Sequence, residues 1–162
     1  TMLRRDGFWF SRLGSFIERA DNTARILDVK YHLLLPGDSK VGGGLDYSQW
    51  AAILRSVNAL TSYHWVYRES LKPALITDLL ILNEALPRSL AACYVYILGA
   101  LDELATVYGR QGPSQRLART LGMSLQNSSV DQIFQVGLHE FLGNFIADNN
   151  RVGVAVSEQY LT

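Results

Sequence analysis

The sequence holds a single cysteine, Cys93, two methionines and four prolines, and its 15 basic and 15 acidic residues cancel to a formal net charge of zero. One thiol rules out an internal disulfide and a thiol-rich metal cage. The balanced charge lacks the basic excess by which nucleic-acid and anionic-membrane binders are usually recognised, so neither partner is expected. Apolar runs such as Leu79 to Leu82 are far shorter than the roughly 20 residues needed to span a bilayer, which points to a soluble chain. A secretory leader pattern is missing as well, because Arg4 and Arg5 pass straight into a polar-interrupted helical pattern. With the lone thiol, this points to a cytoplasmic setting. Thr1 precedes Met2, so position 1 does not read as a native translation start, and either an added residue or an internal fragment would account for it. Sustained apolar–polar alternation between turn signals is also absent, and no sheet is expected.

What is present is an ordinary globular composition, 48% hydrophobic and 19% charged over 162 residues. A chain of this size buries roughly 70% of its unfolded surface, enough for one domain. The apolar periodicity predicts an all-α bundle of about six helices.

The stretch Phe16–Pro36, FIERADNTARILDVKYHLLLP, anchors that reading. Leu13, Ile17, Ala20, Ala24, Leu27, Tyr31 and Leu34 recur at steps of four and three, predicting one helix from near Asp6 to about Leu35. Ile26, Val29 and Leu33 lie off that seam, which suggests contact on more than one face and a central position. Pro36 and Gly37 should end the helix, and the glycine-rich residues 36–45 fit a connector rather than any phosphate-binding fingerprint. Asp46 with Gln49 reads as a capping box for a second helix through Trp50, Ile53, Leu54, Val57 and Leu60, continuing towards Tyr67. Pro73 opens a short helix to Leu82, and Pro87 opens a longer one to Tyr108. Ser114 is placed as the cap of the next helix after Gly109, Gly112 and Pro113, and Ser129 with Gln132 forms a capping box for a last helix reaching Tyr160.

At about 100° per residue, Glu18, Asn22 and Arg25 share the side of the first helix opposite its apolar seam. Asp21 and Asp28 fall on one flank, Arg12 and Arg19 on the other. Asp21 and Arg25 are four apart and positioned to pair. Glu18, Arg19, Asp21, Asn22 and Arg25 therefore admit two readings. They staple neighbouring helices or face water, or they line a pocket for a carboxylate or peptide, with arginine as a bidentate fork and Glu18 as base or ligand.

Other chemistry finds less support. None of His32, His64 and His139 stands three residues after a glutamate, as a di-iron bundle requires. His139-Glu140 opens like a zinc-protease motif, but Gly143 occupies the second histidine's place. No metal or cofactor is expected, and His139 and Glu140 remain secondary candidates, more readily a capped or surface pair. Cys93 sits in the apolar AACYVYIL and reads as an inert buried thiol. Phe8, Trp9, Phe10 and Phe16 read as core or interface aromatics.

Four ordered blocks, FIERADNTARILDVKYHLLLP, LDYSQWAAILRSV, PRSLAAC and GLHEFL, resemble the alpha-E family, a bacterial and archaeal all-helical domain with a Glu-Arg motif, here Glu18-Arg19. Family members carry two halves, each with such a helix, and these blocks resemble the second. The resemblance supplies no catalytic residue set. It implies an accessory role beside an ATP-grasp type ligase and a transglutaminase-like peptidase, whose genes neighbour the family's. The expected function is thus a helical interaction module in peptide or amide-bond metabolism rather than an enzyme. The alternative is an enzyme or substrate-binding subunit with a pocket at the Glu-Arg helix. A half without its companion should expose an apolar face and self-associate as a homo-oligomer.

Overall fold

The computed structural model describes residues 4–30 and 44–161, and among them it is all-α, with eight helices and no strand. They are α1 (Arg4–Val29), α2 (Gly44–Ser56), α3 (Leu60–Tyr67), α4 (Pro73–Thr77), α5 (Leu90–Tyr108), α6 (Pro113–Asn127), α7 (Val130–Val136) and α8 (Leu138–Tyr160). A π-helical turn over Asp78–Leu82 extends α4. Tyr31, His32, Leu33, Leu34, Pro36 and the glycine-rich connector lie outside the described residues.

The framework is a ring of four long helices. α1 packs on α5 and α8, and α6 packs on the same two. Neighbours run antiparallel. Thr23 of α1 donates to the Arg88 carbonyl before α5, while at the other end the Tyr108 hydroxyl donates to Asp6. Phe10 likewise meets Tyr160, and Asp28 meets His139. The predicted seam of α1 is buried at Leu13, Ala20, Ala24 and Leu27, with Phe16 beside it.

The centre of the bundle is α5, not α1. Leu90, Tyr94, Ile97, Leu101 and Leu104 are all buried, while α1 exposes Glu18, Asn22 and Arg25, and Val29 is 69% exposed. The off-seam apolar residues therefore do not mark a helix enclosed on two sides. α5 is also long and apolar enough to cross a bilayer by length and composition, which the search for short apolar runs missed. Its composition matches its place as the core helix, because a helix packed on several sides needs no polar stripe.

More helices form than the apolar pattern implies because the backbone breaks where no apolar residue is lost. Asn58 adopts a left-handed conformation (φ 55°) and separates α2 from α3, although Val57 and Ala59 on either side are buried. Gly137, at φ 106°, separates α7 from α8, and a side chain there would run into the Glu140 carboxylate. α2 begins at Gly44, so Asp46 lies in its first turn rather than at its cap. α5 begins at Leu90 and not Pro87. Its cap is Ser89, whose hydroxyl accepts from the Ala92 N–H at 3.0 Å and donates to the Asn83 carbonyl at 2.6 Å. The Ser129–Gln132 capping box forms as predicted.

Ser114 is not a cap either. It lies in the first turn of α6 and donates both its hydroxyl and its N–H to Gln159 Oε1 of α8, at 2.6 and 3.0 Å. Gln115 is buried beside it, accepting from the Gly112 N–H and donating to the Leu101 carbonyl and the Tyr160 hydroxyl. The N-terminus of α6 is thereby closed by protein groups, and a side chain at Gly112 would collide with the Gln159 amide.

The middle of the ring holds one polar link. The Tyr94 hydroxyl of α5 donates to Asn149 Oδ1 of α8 at 2.6 Å, and Asn149 Nδ2 donates to the Ile17 carbonyl of α1 at 3.0 Å. Asn149 is 1% exposed, and burial raises the Tyr94 phenol well above its ordinary pKa. A buried polar group deprived of its partner costs about 1–3 kcal/mol. Asn149→Ala should therefore destabilise by about 2–4 kcal/mol, since it orphans two groups and opens a cavity. Tyr94→Phe should cost about 1–2 kcal/mol, and a double-mutant cycle by urea denaturation should show strong coupling between the two.

Candidate functional site

The angular reading of α1 holds in three dimensions. Glu18, Asn22 and Arg25 are exposed on one face, while Arg19 and Asp21 are half-buried on opposite flanks. The acidic flank turns to α8, where Asp28 meets His139, and the basic flank turns to α5. Arg25 Nε donates to Asp21 at 2.8 Å, the i,i+4 pair expected from spacing. Glu18 has no ion pair or hydrogen bond from its side chain among the described residues.

The basic flank is built on aromatic rings, an arrangement not deduced from the sequence. Phe16 of α1 and Tyr96 of α5 stack with centroids 4.6 Å apart and planes 16° from parallel. The Arg12 guanidinium lies 5.4 Å from the Phe16 centroid and 5.5 Å from that of Tyr96, and Arg19 lies 4.9 Å from Phe16. Guanidinium groups are weakly hydrated and rest on ring faces, their N–H groups remaining available at the edge. Arg12 and Arg19, seven apart on one helix, share the flank that their spacing predicts. The ring of α5 that completes it has no such local signal.

The secondary candidates separate. His139 Nδ1 approaches Asp28 at 2.5 Å, whereas the Glu140 carboxylate folds back over Gly137. Cys93 is fully buried, and desolvation pushes its thiol up to about 11, leaving it protonated and a poor nucleophile near neutral pH.

Concavities among the described residues lie away from Glu18 and Arg19: a small one of about 260 Å³ by Trp65, Val66 and Leu86, and three larger ones. One, of about 410 Å³, runs between α1 and α2 past Arg25, Ile26, Val29 and Ile53 and is mainly apolar. A second, of about 460 Å³, is bordered by Arg110, Arg116 and Glu158 at the closed start of α6. A third, of about 430 Å³, lies by Asp78, Glu84 and Gln126. Among the described residues, no three of the histidine, cysteine and carboxylate side chains gather at metal-ligand spacing.

A family model described as a predicted alpha-helical domain with a conserved ER motif matches residues 1–161. The chain belongs to the Alpha-E family. Its one Glu-Arg dipeptide is Glu18-Arg19, so the Alpha-E motif falls at mid-length on α1, immediately after the residue whose carbonyl Asn149 holds. Comparison with curated proteins and with solved structures finds no match.

The Asp28–His139 contact gives a titratable link between α1 and α8. The hydrogen bond to Asp28 and its charge both raise the His139 pKa above the ordinary 6.5. A raised folded-state pKa contributes stability that is complete below the unfolded value and is lost as pH rises through the folded one. An NMR titration should place the His139 pKa above 6.5, and Asp28→Asn should return it towards that value. The same substitution should flatten the fall in stability above neutral pH.

Proposed function

We propose that this Alpha-E chain is a helical interaction module serving an ATP-grasp type ligase, with a transglutaminase-like protein as the second candidate partner, in peptide or amide-bond metabolism. The observation that carries this reading is the presentation of the motif. Glu18 is exposed, and Arg19 is laid over Phe16 on an α1 whose orientation is held from the core at Ile17. A side chain that faces outward from a rigid helix is placed to meet another surface. The buried, protonated Cys93 thiol gives no support to a covalent mechanism.

The pocket reading has less behind it. Arg25 borders the groove between α1 and α2, but its guanidinium is engaged by Asp21 and the groove is mainly apolar. Self-association of the isolated chain belongs to the same proposal. Trp65 and Val66 of α3 are well exposed, and apolar surface left bare favours association.

The test is co-purification of the full-length protein with the neighbouring ligase, followed by assay of the ligase with and without it. Wild-type protein should co-purify and raise ligase turnover, and Glu18→Ala should stay folded while losing both effects. Turnover by the Alpha-E protein alone, abolished by Glu18→Ala, would favour the pocket instead. Sedimentation of the isolated chain should give a dimer or larger species, and a monodisperse monomer would remove the self-association part.

A further inference from the structure

The flank of α1 that faces α5 carries more charge than the fold uses. Arg12 and Arg19 touch aromatic rings, and among the described residues neither is paired with a carboxylate. Around them Phe8 is 57% and Tyr96 43% exposed, and Val95 stands beside Tyr96. Seven residues farther along the same face of α5 stands Glu103, whereas Asp102 turns towards Arg119 of α6. A patch that joins unpaired guanidinium forks to half-exposed rings is complementary to a ligand that is both acidic and apolar.

Spacing narrows that ligand further. Seven residues of helix rise roughly 10 Å, so Arg12 and Arg19 stand two turns apart with Phe16 between them. A helix laid along the surface where α1 meets α5 presents residues at the same two-turn interval, with the intervening turn facing the rings. We propose that Arg12, Arg19 and the Phe16–Tyr96 stack form a clamp for an acidic amphipathic helix of a protein partner, with carboxylates two turns apart and an apolar residue between them. Each carboxylate takes a guanidinium fork, and the apolar residue covers Tyr96 and Phe8. The clamp rests on the interaction-module reading and names the chemistry of what docks.

The test uses the full chain and a labelled synthetic helix with glutamates two turns apart and leucines on the intervening turn, followed by fluorescence anisotropy. Binding should weaken as salt is raised. Arg12→Ala and Arg19→Ala should each weaken it about tenfold, the scale of a lost charge-assisted hydrogen bond. Arg19→Lys should recover part of the loss, because it keeps the charge but not the planar fork. Arg151→Ala, on α8 and engaged by Asp148, should bind as wild type, and circular dichroism should show every variant folded.

Equal binding of the Arg12→Ala/Arg19→Ala double variant would overturn the clamp. So would equal binding of a peptide with glutamine for glutamate, or tighter binding of a single-stranded oligonucleotide than of the acidic helix. Ligase capture that survives the double variant would sink the clamp and leave the module standing. Peptide binding without ligase capture would keep the clamp and remove the ligase.

Discussion

Three of the four framework helices are fixed to one another by a single buried asparagine. Asn149 accepts from Tyr94 on α5 and donates to the Ile17 carbonyl on α1, and apolar packing alone would not impose that register. A seam of alanine, leucine and phenylalanine tolerates some rotation or sliding of α1, because such contacts are non-directional. A carbonyl with a second acceptor site inside the core does not. The Tyr94 ring also meets Phe145 edge-on, 5.8 Å away, so the polar link is walled by aromatic packing. With Ile17 turned to α8, Arg19 lies on the α5 flank and Glu18 faces out.

The charges of α1 follow from that orientation. On the α8 side an acidic flank finds His139, and on the α5 side a basic flank finds aromatic faces. Exposed ion pairs of this kind contribute little to stability, about 0–1 kcal/mol each. Their consequence is directional, since they favour one order of neighbours around α1 over its mirror arrangement. The apolar seam decides that α1 docks, Asn149 decides its rotation and height, and the flanks agree with both. Consistency of this kind across levels is what makes one arrangement preferred.

Much of this was legible in the sequence, and the omissions have physical reasons. The seam and the split of charges were readable because both depend on helical period alone. So was the Ser129–Gln132 box, whose partners are three residues apart. Asn149 was passed over because it sits one turn before Val152 in an apolar stripe, where a lone polar residue carries no local sign of its partners. The break at Gly137 was missed because Leu138 continues the apolar spacing of Phe134, so periodicity runs through a point where the backbone does not. α1 was placed centrally from Ile26 and Val29, but an exposed valine costs little and is common on surfaces. The start of α5 moved from Pro87 to Leu90, capped by Ser89, because Leu86 and Leu90 are both buried and the residues between them form a turn.

The contrast between Glu18 and its neighbours bears on why an ER motif should mark this family. Ile17 gives its carbonyl to Asn149, Ala20 is buried, and Arg19 lies over Phe16, so each has a task within the bundle. Glu18 makes no side-chain pairing among the described residues, and exposed positions away from such features usually tolerate substitution within about 0.5 kcal/mol. The fold of this chain therefore places almost no demand on a glutamate at position 18. On the interaction reading, that demand comes from outside the chain. Arg19 is then the hinge of the motif, contributing to the bundle with its guanidinium face and offering its edge, beside Glu18, to whatever docks.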